Sequence, residues 1–179
     1  GHLMPFDVKT DKGIKEVGGV ARMATLIKEI REENREKGIP TIVLIAGDIL
    51  QGTPMSTVFK GRPDIECFNA IGIDAMTVGN HEFDFGLENF MALRQQAEFP
   101  FISANIIYKD TRENLCPPAV MISLPDEKDL AVIGVTTKEL LKTTKAENVD
   151  TRSGLDPVTA VKTAFETLQG RGPVILLSH

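Results

Sequence analysis

Three unbroken apolar runs constrain this chain more than any other feature. Thr41-Ile42-Val43-Leu44-Ile45, Ala75-Met76-Thr77-Val78 and Val174-Ile175-Leu176-Leu177 are rich in β-branched residues and carry almost no polar alternation. Runs of this kind read as strands buried on both faces, the state of a parallel sheet covered by helices. Each run then ends in polar residues: Ala46-Gly47-Asp48, Gly79-Asn80-His81-Glu82-Phe83-Asp84 and Ser178-His179. In open α/β sheets the C-terminal rim of the strands is where ligands bind. Asp, Asn and His together form a donor set that suits a divalent metal working on phosphate.

Between the runs the apolar period changes to that of helices. Gly19 to Glu36 predicts a helix with Val20, Met23, Ala24, Ile27 and Ile30 on one face, stopped by Gly38-Ile39-Pro40. Pro63 to Ile71 predicts a second, with Pro at its start and Ile65, Phe68 and Ile71 on one side. Phe85 to Glu98 predicts a third, with Leu87, Phe90, Met91 and Leu93 apolar, and Phe101 to Ala104 a further buried strand. Pro157 to Leu168 predicts the last helix, with Val158, Val161, Phe165 and Leu168 facing inward. This alternation implies a parallel sheet with right-handed crossovers. Val120–Leu124 and Leu130–Val135, around Pro125-Asp126-Glu127-Lys128, read instead as a hairpin. Residues 138–154 read as polar and irregular. The parts add up to a mixed α/β layered domain.

At 179 residues and 42% apolar content, the chain suits one packed domain or most of one. A net charge of −5 argues against a large nucleic-acid surface. It does not disfavour a small anionic substrate, because a bound metal reverses the local sign. Cys67 reads as a small core residue; neither it nor Cys116 has a partner at zinc-finger spacing, and a single disulfide stays open. No apolar run is long enough to span a bilayer, and no signal peptide is visible. The chain reads as trimmed at both ends.

The chemistry concentrates at the strand ends. The Asp48 carboxylate can bridge two cations. The Asn80 amide oxygen can bind metal without adding charge, and His179 can offer a neutral imidazole nitrogen. His81 and Asp84 lie across one turn, where a carboxylate can fix the imidazole tautomer and favour the imidazolium. An imidazolium there would stabilise developing charge or protonate a leaving oxygen. Blander roles stand beside these: Gly47-Asp48 as a turn and cap, Asp84 as the N-cap of the next helix. Gln51 and Thr53 read as pocket-lining, or for Thr53 as helix entry, and Asn105 as a neighbour of the site. Arg22 reads as structural, and Phe83, Phe85, Phe90, Phe99 and Phe101 as core.

The longer strings carry a family resemblance. Gly18-Gly19-Val20-Ala21-Arg22, Ala46-Gly47-Asp48-Ile49-Leu50-Gln51-Gly52-Thr53-Pro54, Asn80-His81-Glu82-Phe83-Asp84-Phe85-Gly86 and Ser103-Ala104-Asn105-Ile106 span essentially the whole chain. They resemble the N-terminal, calcineurin-like metallophosphoesterase domain of the 5′-nucleotidase / UDP-sugar hydrolase / 2′,3′-cyclic phosphodiesterase group. The resemblance implies a four-layer αββα sandwich, here incomplete. It implies two divalent metal ions (Mn, Zn, Co or Fe), with Asp48 bridging them, Asn80 on the second metal and near the phosphate, and His179 a further ligand. It implies His81 and Asp84 as the catalytic pair, and Asn80 and His81 as the residues that meet substrate. The family opens on Asp-x-His-Gly-His, so Gly1-His2 reads as the tail of that motif or as a vector remnant. The family's later Gly-His-x-His or Gly-His-x-Gln segment would lie beyond His179.

The expected function is hydrolysis of nucleotide phosphate esters by a metal-bound hydroxide, with a small nucleotide as substrate and no nucleic acid as partner. A C-terminal domain of the same protein would hold the nucleoside, the 179 residues alone would be inactive, and the location would be periplasmic, secreted or cell-surface. Two alternatives stay open: a non-catalytic phosphate- or metal-binding module, and a related dimetal hydrolase of sulfur esters.

Overall fold

The computed structural model describes residues 3–108, 110–125, 128–140, 152–168 and 172–179. An exposed hairpin comes first, β1 (Phe6–Thr10) against β2 (Gly13–Val17). Helix α1 (Val20–Glu36) leads to β3 (Leu44–Ile45), then to the short α2 (Pro54–Val58) and to α3 (Arg62–Ile71). Strand β4 (Ala75–Thr77), a 3-10 turn at His81–Phe83, α4 (Gly86–Gln96) and β5 (Phe101–Ile102) follow. The second half holds β6 (Ile106–Tyr108), β7 (Ala119–Leu124), β8 (Lys128–Val135), β9 (Arg152–Gly154), a helix at Pro157–Thr167 that we label α5, and β10 (Val174–Ser178).

Two three-stranded sheets form the middle. In the order β3-β4-β5 all strands are parallel, with Leu44 opposite Ala75 and Met76 opposite Phe101. In the order β10-β8-β7, β10 runs parallel to β8 and β7 antiparallel to it, with Leu177 opposite Gly134 and Val120 opposite Val132. The side-chain period of two sorts each strand between separate cores. Ile45, Met76 and Phe101 join Ile65, Phe68, Phe90 and Leu93 beneath α3 and α4. Leu44, Ala75 and Ile102 turn the other way and meet Leu130 and Val132 between the sheets. Ala131 and Ile133 point away from that interior and pack on Ala160 and Ala164 of α5 and on Leu168 at its C-cap. Helix, sheet, sheet, helix is therefore the layer order, the expected αββα sandwich.

The sheets approach closely at Gly134, where a Cβ would sit 2.6 Å from the Ile102 carbonyl oxygen. The Ala104 N–H donates to the Gly134 carbonyl at 2.8 Å, which ties the ends of β5 and β8 together. The C-terminal ends of β4, β5, β8 and β10 thus share one rim.

Several expectations need correcting. The final run is not a buried strand: among the described residues β10 lies at the edge of its sheet, and Leu176 is 52% exposed. An apolar run looks the same in an edge strand as in a central one. Of the inward face expected on α5, Leu168 is buried and Val161 half-buried against the core, but Val158 and Phe165 are exposed. Ala160 and Ala164 take the core positions because small side chains let a helix lie close on a sheet. On α1, Val20, Ala24 and Ile27 pack on the core while Met23 and Ile30 stay exposed. Cys67 is half-buried rather than core; both cysteines are free. Cys116 is the buried one, and burial pushes its thiol up to about 12. Within 138–154, residues 152–154 form β9, paired antiparallel with β6 through Ile107 opposite Ser153. Residues 141–151, the hairpin residues Asp126 and Glu127, and Gly1-His2 lie outside the described residues. Among the described residues no helix is long and apolar enough to cross a membrane.

Candidate metal centre

The loop after β3 turns through left-handed backbone. Gly47 has φ 78° and Asp48 φ 56°, a conformation that L side chains rarely adopt. Gly47 also answers to crowding: a Cβ there would lie 2.7 Å from the Gly79 nitrogen and 2.9 Å from His179 Nδ1. Only a bare α-carbon lets the loops after β3 and β4 meet the end of β10 at this point.

The structure brings Asp48, Asn80 and His179 together from three strand ends. His179 Nδ1 lies 2.6 Å from the Ala46 carbonyl oxygen. A carbonyl only accepts, so Nδ1 carries the proton. In the neutral ring Nε2 then turns its lone pair toward Asn80 Oδ1 at 3.2 Å and Asp48 Oδ2 at 3.3 Å. A carboxylate, an amide oxygen and an imidazole nitrogen therefore converge. A backbone carbonyl on the far nitrogen is the usual partner of a metal-binding histidine, so the residues present fit a cation. The described residues contain no group of three His, Cys, Asp or Glu side chains able to hold a metal, so the set gathered here depends on the amide of Asn80.

Glu82, to which the sequence assigns no role, is central to the geometry. It is almost fully buried. Its Oε2 accepts from the backbone N–H of Asp48 at 2.9 Å and of Gly79 at 2.7 Å, and its Oε1 from that of Ile49 at 2.9 Å. Burial raises its pKa, those backbone donors oppose the rise, and the Asp48 charge adds to it. Glu82 thus clamps the two rim loops together. A lone acid in a turn has no sequence pattern that distinguishes this role from a solvated one.

His81 and Asp84 do meet. His81 Nδ1 donates to Asp84 Oδ2 at 2.7 Å, which leaves Nε2 as the outward nitrogen on a side chain that is 44% exposed. The hydrogen bond to Asp84 is the main cause of a raised His81 pKa; burial opposes it, and the charges of Asp84, Asp48 and Glu82 add to it. The His81 backbone N–H donates to Asp48 Oδ1 at 2.9 Å, so this pair and the cation-facing cluster share one carboxylate. Asp84 is not the cap of α4, whose N-cap is Phe85 with no side-chain hydrogen bond. Gln51 also reaches this pair, with Nε2 donating to Asp84 Oδ2 at 2.7 Å. Thr53 is the N-cap of α2 and accepts from the Ser56 N–H at 3.3 Å.

Asn105 does not line the site; it braces the rim from behind. Its Nδ2 donates to the Thr136 carbonyl at 2.7 Å and its Oδ1 accepts from the Thr136 N–H at 2.8 Å. Thr136 Oγ1 in turn donates to the Val78 carbonyl at 2.6 Å, just before the Gly79-Asn80 loop. A groove lined by Val58, Phe59, Lys60, Arg62, Asn89 and Gln96 lies elsewhere on the surface and contains none of these groups.

Comparison with known proteins shows the family to which the chain belongs. The sequence pattern of the family described as calcineurin-like phosphoesterase matches residues 2–179. The chain is 36% identical over 151 residues to Protein UshA of Escherichia coli K12, covering 84% of this chain and 27% of that protein. It is 36% identical over 151 residues to a 5′-nucleotidase of Vibrio parahaemolyticus, again covering 84% and 27%. Among solved structures, the 5′-nucleotidase precursor of Thermus thermophilus superposes with a TM-score of 0.85 at 27% identity, over 99% of this chain and 34% of that one. The chain spans roughly a quarter of the length of these curated relatives. A match that runs nearly from end to end, joined to relatives well above 30% identity, means that this chain belongs to the calcineurin-like phosphoesterase family.

Proposed function

We propose that this chain carries part of the dimetal centre of a 5′-nucleotidase-like phosphoester hydrolase. Phosphoester hydrolysis is the chemistry of its family, which uses a dimetal centre. The observation that carries the finer reading is the orientation of His179. With its Nδ1 proton committed to Ala46, its Nε2 faces the oxygens of Asn80 and Asp48.

In this reading Asp48, Asn80 and His179 hold the divalent ions, with Mn, Zn, Co and Fe all compatible with the donor set. When bound, such ions supply an acidified water for attack on phosphorus and neutralise the phosphate oxygens. His81 does the proton work. Asp84 holds its Nδ1, and its raised pKa favours an imidazolium whose Nε2–H can donate to the departing oxygen. Asn80 and His81 meet the phosphate. Glu82 keeps the two loops at a fixed spacing. No step needs a covalent phosphoenzyme.

The substrate in this reading is a nucleotide, and a C-terminal domain of the full-length protein holds the nucleoside. The 179 residues alone are then inactive, and the location is periplasmic, secreted or cell-surface. Two variants of the full-length protein test the assignment. Asp48→Ala should lose bound metal, and a normal metal content by elemental analysis would sink the ligand role. His81→Ala should keep its metals and lose about a hundredfold or more in kcat. An unchanged kcat would remove His81 from the mechanism. Assays on AMP, UDP-glucose, a cyclic nucleotide and a thiosulfonate separate the nucleotide reading from a sulfur-ester hydrolase. Metal binding without turnover of any of them would mark a binding module.

A further inference from the structure

Gln51 is a residue whose backbone is uncomfortable and whose side chain has a definite target. Its φ is 72°, in the left-handed region, between Leu50 and a Gly52 at φ 94°. A glycine would adopt that φ freely, whereas a glutamine there is strained. The conformation is held from the inside: the Gln51 N–H donates to Ser56 Oγ at 3.1 Å, and Ser56 is fully buried. What glutamine has and glycine lacks is the carboxamide. Its Nε2 donates at 2.7 Å to Asp84 Oδ2, the same oxygen that accepts from His81 Nδ1 at 2.7 Å.

We infer that Gln51 is a positioning residue, which acts through Asp84 to hold the His81 imidazole in register with the leaving oxygen. This rests on the reading of His81 as the proton donor. The His81 side chain is 44% exposed, so packing alone does not fix its rotamer. A second donor on Oδ2 sets the plane of the carboxylate. A hydrogen bond to a charged group is stronger than one between neutral groups, enough to suppress competing rotamers. The strained turn is the lever: it aims the carboxamide across the gap between the loops after β3 and β4.

The test uses Gln51→Asn in the full-length, metal-loaded protein. Asparagine tolerates left-handed backbone and keeps the amide but is one methylene too short. Gln51→Gly is the second variant, since it relieves the backbone and cannot fail through strain. Both should keep metal content and KM and lose about tenfold in kcat on AMP, less than the loss in Asp84→Ala. The loss should shrink toward zero on p-nitrophenyl phosphate, whose leaving group needs no proton. Added to Asp84→Ala, either variant should cause no further loss. A wild-type kcat on AMP in both variants, with Asp84→Ala impaired, overturns the inference and leaves the function standing. So does an undiminished loss in the Asp84→Ala background, or an equal loss on both substrates. A wild-type kcat in Asp84→Ala itself overturns the proton-donor reading, and the inference falls with it.

Discussion

The two sheets deliver their site residues in different ways. The loops after β3 and β4 are stitched through the interior, where Glu82 takes the backbone N–H groups of Asp48, Ile49 and Gly79. Asp64, in the first turn of α3, is buried as well. The second sheet contributes His179 from the end of an exposed strand, held by the Ala46 carbonyl, with its Nε2 turned toward the oxygens of Asn80 and Asp48. Its partner helix α5 starts on a surface cap, Asp156, which accepts from the Thr159 N–H at 2.9 Å. One half of the rim is held by the buried Glu82 carboxyl, and the other half is laid against it. The first half should therefore carry stability and pH sensitivity, and the second should carry ligand affinity at little structural cost.

The sharpest way to break this contrast is Glu82→Ala. It strands the N–H groups of Asp48, Ile49 and Gly79 in the interior, and the expected loss of stability is on the order of 3 kcal/mol or more. Chemical denaturation reads it, and a loss below about 1 kcal/mol would deny Glu82 the role of a clamp.

Asp64→Asn comes next. Burial raises the Asp64 pKa, with the neighbouring Ser56 hydroxyl pulling the other way. A carboxyl raised in the folded state supports folding below its unfolded pKa and loses that support as pH climbs through the folded value. The variant should match wild type near pH 4 and exceed it near pH 8 by on the order of 1 kcal/mol. Parallel stability curves across that range would contradict the buried-acid picture.

His179→Ala sharpens the other side. The metal-free protein should lose no more than about 1 kcal/mol, the scale of one hydrogen bond, while metal affinity falls steeply. Calorimetric titration with Mn or Zn alongside denaturation separates the two effects; a large stability loss with unchanged affinity would reverse the comparison.

The smallest effect belongs to Asp156→Ala. The Thr159 backbone N–H, then its hydroxyl, lowers the Asp156 pKa. Its contribution is present above the unfolded pKa and lost as pH falls through the folded one. A slight drop in Tm at neutral pH that vanishes in acid is the expected result, and a drop that persists in acid would rule out the cap as its source.

The strands and helices were legible where the apolar pattern was continuous. Runs at 41–45, 75–78 and 101–104 predicted a parallel sheet because each lies under helices on one face and a second sheet on the other. The pattern failed where burial depends on a distant neighbour. The run at 174–177 gave no sign that its strand would lie at an edge, and Ala160 outranked Val158 because only the tertiary arrangement sets the gap between α5 and β8. Strand β9 was illegible because its partner, β6, lies far away in the sequence.

The site divides along the same line. Local sequence determined the identity of Asp48, Asn80, His81, Asp84 and His179 and their place at strand ends, because a strand ends where its apolar run gives way to polar residues. Tertiary structure alone decided which of them touch. His179 meets Asp48 and Asn80 because Gly47 and Gly134 let loops and sheets approach within van der Waals distance. Glu82 becomes a clamp and Gln51 a reach across two loops because Asp48 and Asp84, which they respectively meet, lie more than thirty residues away from them in the sequence. Periodicity records a residue's own strand or helix; a hydrogen bond across the rim is fixed only when the layers close.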